Sequence, residues 1–120
     1  MANLDQICDY LADKSIIESI QLNTSSLPSG VTTAGNNIAY RTGNIVTAYV
    51  NLKTGTSSRT ISDFIPVGYR PYENVNPIMS AGDGTNVSFA TIRSDGTLVT
   101  YAKGAGYVQG DVTYMVNTEN

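Results

Sequence analysis

At 120 residues, with 41% hydrophobic and only 14% charged side chains, the chain has the length of one domain. That balance excludes a charge-rich disordered polymer, and the absence of any 18-residue apolar run excludes a membrane-spanning helix. The formal charge of −3, with four Arg and three Lys that never cluster, lacks the basic patch that binding nucleic acid requires.

The first predicted element is a helix over residues 3–14. Leu4, Ile7, Cys8 and Leu11 recur at i, i+3, i+4 and i+7, which gathers them on one face. Asn3 with Gln6 forms a capping box, and Asp5 falls in the first turn, where the helix dipole favours an anion. Asp5, Asp9 and Asp13 lie four apart on a second face, whose mutual repulsion keeps it in water. A helix this short is marginal by itself, so the stripe Leu4, Ile7 and Leu11 is expected to pack on the domain's own sheet or to mediate oligomerisation. Cys8 is the only cysteine, which leaves no intrachain disulfide, and a small buried hydrophobe is its expected role. The opening residues carry neither the basic nor the apolar region of a signal peptide, which fits synthesis in a cytoplasm.

Ile16, Ile17, Ile20 and Leu22 predict a first strand, followed by turn residues from Asn23 to Gly30 and from Ala34 to Asn37. Residues 1–22 are therefore expected to be a helix and connector, and 38–120 a β domain. Val46, Ala48, Val50 and Leu52 alternate with Ile45, Thr47, Tyr49 and Asn51, the period-2 signature of a strand with one dry face. Arg59 to Ile65 predicts the next strand. Val75 to Ala81 predicts another, placed at an edge or bulge because Pro77 cannot donate a ladder bond. Val87 to Ile92 and Leu98 to Lys103 flank Ser94-Asp95-Gly96, the clearest hairpin in the chain, and Val112, Tyr114 and Val116 form the closing strand. Thr, Ser, Asn and Gly supply 47 residues, so the surface is made of hydroxyls and amides. Seven or eight short strands with that composition predict an all-β, antiparallel β-sandwich or jelly roll.

With no His in the chain, the Ser-His-Asp and Cys-His nucleophile arrangements and every His-containing zinc site are absent by count. The β-region acids Asp63, Glu73, Asp83, Asp95 and Asp111 could in principle supply a paired-carboxylate glycan hydrolase. Asp83-Gly84 and Asp95-Gly96 read instead as turns in which Asp bonds nearby backbone and Gly takes positive φ. Too few oxygen donors surround Asp83 for calcium, so no metal, cofactor or catalytic residue is expected. Tyrosine is the conspicuous residue, at eight copies with no Trp. A flat apolar ring bearing a hydroxyl suits sugars and protein interfaces. Tyr69, Tyr72 and Tyr107 adjoin Gly or Pro in predicted loops and are the candidate ligand contacts, with Arg70 either joining them or pinning the turn. Tyr49, Tyr101 and Tyr114 lie within strands, where sheet packing is their expected use.

The stretch Phe64-Ile-Pro-Val-Gly-Tyr-Arg-Pro71, the hairpin Ile92-Arg-Ser-Asp-Gly96 and the strand from Val112 to Val116 resemble the C-terminal head domains of bacteriophage tail proteins. The opening Leu4-Asp-Gln-Ile-Cys-Asp-Tyr-Leu11 is similar to short helices that begin small tail proteins of this sort, and stands where many of them carry a long shaft. The resemblance implies a virion protein, a β-sandwich that forms a homotrimer, and partners among other tail proteins and host-surface saccharides or proteins. A purely structural tail or baseplate component is the alternative, and a carboxylate-dependent hydrolase a third.

Overall fold

A computed structural model describes residues 17–116; the expected helix, with Leu4, Ile7 and Leu11, lies outside the described residues. The described residues hold nine strands and no helix: β1 (Glu18–Gln21), β2 (Thr32–Thr33), β3 (Ile38–Thr42), β4 (Ile45–Lys53), β5 (Arg59–Ile61), β6 (Ile78–Ser80), β7 (Val87–Ile92), β8 (Leu98–Tyr101) and β9 (Tyr107–Met115). All pairings are antiparallel, in the order β1-β3-β4-β9-β6-β7-β8-β5, with β2 joining the same side of β4 beyond β3.

The spine is the ladder of β4 on β9, in register from Ile45↔Met115 to Lys53↔Tyr107. Its alternation is the one the sequence predicts: Val46, Ala48, Val50 and Leu52 are fully buried, while Ile45, Tyr49 and Lys53 face out. β7 alternates likewise, burying Ser88, Ala90 and Ile92 and exposing Val87 and Phe89. Ser88 is satisfied on the inside, its hydroxyl donating to the Tyr107 carbonyl at 2.6 Å.

The strand count predicts a sandwich or jelly roll, whereas the pairing yields one strongly curled sheet. The halves β1-β3-β4-β9 and β6-β7-β8-β5 are joined at a single register pair, Ser80↔Gln109. At that junction an added Cβ on Gly110 would stand 3.2 Å from Met79 Cγ, so a residue without a side chain leaves β6 room to approach. Hydrogen bonding thus continues where a sandwich would have two free edges, and strand twist curls the sheet onto its own apolar face. Val50, Leu52, Phe64, Ile65, Ile92, Leu98 and Val108, drawn from both halves and the loop between them, form one core.

Two predicted strands have less than half their expected length. β5 stops at Ile61, because Asp63 takes φ 55° and swings Phe64 and Ile65 into the core as a loop. β6 begins only at Ile78. Pro77 lies in the break between it and the bridge Val75↔Ile92, where its carbonyl still accepts from Ala90 N–H at 3.2 Å. The Asp95-Gly96 hairpin forms as predicted, with Arg93 N–H donating to the Thr97 carbonyl and Asp95 Oδ1 accepting from Thr97 N–H, both at 2.9 Å. Hydrogen bonds from Thr97 hold the Asp95 carboxyl below its ordinary range. Asp83 plays the same part in its own turn, accepting from the N–H groups of Thr85 and Asn86.

Candidate ligand-binding surfaces

The Pro66 to Pro71 motif is a turn in which the carbonyls of Pro66, Gly68 and Tyr69 each accept a hydrogen bond. Tyr69 N–H donates to the Pro66 carbonyl at 3.1 Å across Gly68, whose φ of 92° is the conformation a type II turn demands at that place. Arg41 Nη1 donates to the Gly68 carbonyl, Arg70 Nε to the Ile65 carbonyl at 2.8 Å, and the Tyr114 hydroxyl to the Tyr69 carbonyl. The turn also docks on the Asp95-Gly96 hairpin, where Ile65 N–H donates to the Gly96 carbonyl at 3.0 Å. The two motifs that carry the family resemblance are therefore packed against each other.

This arrangement separates the four predicted ligand residues. Tyr69 is 9% exposed; burial pushes its phenol above the usual range, and Glu18 adds to the effect. Arg70 pins the turn, and its side chain, 17% exposed, spends its outer nitrogen on Asp63 at 3.3 Å. Tyr72 is open, at 65% exposure, and borders a shallow depression of about 310 Å³ with Glu73, Asn74, Thr113 and Met115. It is held there because Pro71 bridges to Val116 and Tyr72 N–H donates to the Met115 carbonyl at 2.9 Å. Tyr107 is half-buried at the other end of β9, beneath the Lys53 ammonium, which stands 5.5 Å from its ring centre. Eight residue steps of extended strand separate it from Met115, roughly 27 Å at the usual rise. Tyr72 and Tyr107 consequently belong to different surfaces.

Tyr114, expected to pack in the sheet, does so, and burial drives its phenol far above the usual 10. The folded state thus holds this proton more tightly than the unfolded chain, so its contribution to stability is intact below pH 10 and is lost as pH rises further. Stability should fall above pH 10 by up to about 1.4 kcal/mol per pH unit from this group. Urea midpoints at pH 9 and 11 should show a smaller alkaline loss in Tyr114→Phe than in the parent.

A second depression was not foreseen from the sequence. It is about 400 Å³, lies on the outward face of β3 and β4, and is lined by Asn36, Ile38, Tyr40, Tyr49 and Asn51. Tyr40 and Tyr49 are each 40% exposed, their rings edge to face at 5.9 Å and 88°. Beneath them the buried Asn37 amide imitates a strand neighbour: its Oδ1 accepts from Asn51 N–H at 2.7 Å and its Nδ2 donates to the Asn51 carbonyl at 3.0 Å. Asn51 Nδ2 in turn donates to the Asn36 carbonyl at 2.6 Å. Asn37→Ala should remove about 2–3 kcal/mol in chemical denaturation, because it leaves a buried N–H without its acceptor and opens a small void. The signal for Tyr40 and Tyr49 was present in the alternation: Tyr49 sits between the fully buried Ala48 and Val50, and Tyr40 follows the fully buried Ala39, so both face out.

Farther along the same outward face, Ile78, Phe89 and Tyr101 stand side by side through the pairs Ile78↔Phe89 and Phe89↔Tyr101, each between 47% and 66% exposed. Tyr101, expected to pack in the sheet, is part of this open apolar row. Among the described residues no three acidic or cysteine side chains are grouped to hold a metal ion, and no helix is long and apolar enough to cross a membrane.

These features define a class: an all-β module of one curled antiparallel sheet with tyrosine-bearing depressions and an apolar row on its outward face. The fold is similar to that in the crystal structure of the receptor binding protein (gp15) of Listeria phage PSA, with a TM-score of 0.56 and 16% sequence identity over 98% of this chain and 82% of that one. At that identity the likeness is one of fold. No family model and no curated protein matches the chain.

Proposed function

We propose that the protein is a component of a bacteriophage tail that attaches the virion to its host, recognising a surface saccharide as a homotrimer. The observation that carries this reading is the shared fold, which extends over 98% of the chain to a phage receptor binding protein. The packing of the Pro66 to Pro71 turn on the Asp95-Gly96 hairpin supports it, since these are the motifs of the resemblance. Open aromatic rings beside neutral amides and hydroxyls are the chemistry that sugar rings engage. Of the four residues singled out in the sequence, Tyr72 is the best placed to touch a ligand.

Trimerisation would multiply weak sites, with avidity gains of roughly 10²–10⁴ for linked copies. The row Ile78, Phe89 and Tyr101 is an apolar surface open to such an assembly, and the sequence predicts a second in the stripe Leu4, Ile7 and Leu11. Light scattering should give a trimer mass, reduced to a monomer's by Leu11→Asp or Phe89→Asp according to which surface is used. Fluorescently labelled protein should bind intact cells of a susceptible strain and compete with phage adsorption. A folded trimer that binds no cells and blocks no adsorption would leave the structural tail component as the better reading.

A further inference from the structure

Resting on that reading, we propose that the depression between β3 and β4 is a subsite for a neutral sugar ring, with Tyr40 and Tyr49 as its aromatic contacts and Asn36 and Asn51 as its polar ones. No charged side chain lines it. The perpendicular rings form a wall and a platform, so a pyranose laid with its C–H face on one ring meets the edge of the other. Asn36 supplies an amide at the rim whose fork can serve two adjacent hydroxyls, and Asn51 adds the part of its amide not spent on the Asn36 carbonyl. The aromatic contact is therefore carried by the two rings and the polar contact by the two amides.

The site is built before any ligand arrives. Tyr40 and Tyr49 stand on strands paired from Ile38↔Tyr49 to Thr42↔Ile45, and the Asn37 amide locks the backbone of Asn51 from below. Little ordering therefore remains for binding to impose. The surrounding charge decides against an anion. Asp111 lies directly across from Tyr49 on β9, and the guanidinium of Arg41, the residue after Tyr40, is engaged with the carbonyls of Gly43 and Gly68. A phosphate-bearing polymer would meet a carboxylate here and find no unengaged cation among the lining residues.

The test uses the full chain and saturation-transfer NMR with methyl glycosides of glucose, galactose, rhamnose and N-acetylglucosamine, and poly(glycerol phosphate) as the anionic comparator. At least one neutral glycoside should bind and perturb the Tyr40 and Tyr49 ring signals. Tyr49→Ala and Tyr40→Ala, both at exposed positions, should weaken it by about tenfold or more, while Tyr49→Phe, which keeps the ring, stays within a few-fold. Binding that survives both alanine variants, binding of the polyanion alone, or no binding of any glycoside would overturn the assignment. If the protein still adheres to cells in those cases, only this subsite falls; if it adheres to none, the attachment role falls with it.

Discussion

Gly96→Ala is expected to destabilise the protein by about 3–5 kcal/mol, a large share of what holds a small domain together. Gly96 has φ 88°, a conformation that costs an L-residue roughly 1–3 kcal/mol. A Cβ there would also stand 2.5 Å from the Ile65 carbonyl oxygen and 2.5 Å from Arg70 Nε. The arginine is a side chain and can move aside, but the carbonyl is backbone, held by a loop whose Phe64 and Ile65 are completely buried. Making room means parting the Asp95-Gly96 hairpin from the Pro66 to Pro71 turn. The melting temperature should drop by roughly 10–25 °C in calorimetry. Removing the arginine as well, in Arg70→Ala/Gly96→Ala, should restore almost nothing. Full recovery in that double variant would show that the side chain alone was in the way.

Phe64→Ala should be comparably costly, at about 3–5 kcal/mol, because Phe64 is the largest fully buried side chain among the described residues and a loop residue that fills the inside of the curl. It belongs to the core to which both halves of the sheet contribute, so collapse around the void would require shifting strands that are fixed by their ladders. Its carbonyl meanwhile accepts from Asn23 N–H at 3.0 Å, tying the chain after β1 to the same loop. Urea denaturation should show a lowered midpoint with an unchanged slope. A loss below about 1 kcal/mol would mean that the core repacks freely there, contrary to the usual behaviour of large-to-small changes in close-packed interiors.

Strand identity was legible wherever alternation was long. The nine residues of β4 declare their buried face by period, and the Ser94-Asp95-Gly96 turn declares the hairpin of β7 and β8 by the conformations Asp and Gly accept. The stretch Arg59 to Ile65 misled because its apolar residues suit a strand interior equally well as a loop plugging a core. Nothing local distinguishes Phe64 in a ladder from Phe64 in a plug. The candidate sites divide in the same way. Tyr72 is exposed as its Pro-flanked setting implied, but Tyr69 is drawn inward because Tyr114 donates to its carbonyl from 45 positions away and Arg41 donates to the neighbouring Gly68 carbonyl from 27 positions away.

Composition and period-2 patterning alone determined that this is a small antiparallel β protein with a neutral, hydroxyl-rich surface. They did so because burial on a pleated strand imposes its alternation on every residue in turn. Only the tertiary structure decided that the halves join at Ser80↔Gln109 into one curled sheet, and that Tyr40 meets Tyr49 above the Asn37 clasp. Those outcomes depend on which strand edges find each other, and strand pairing is set by the balance of contacts across the whole chain rather than by any run of neighbours within it.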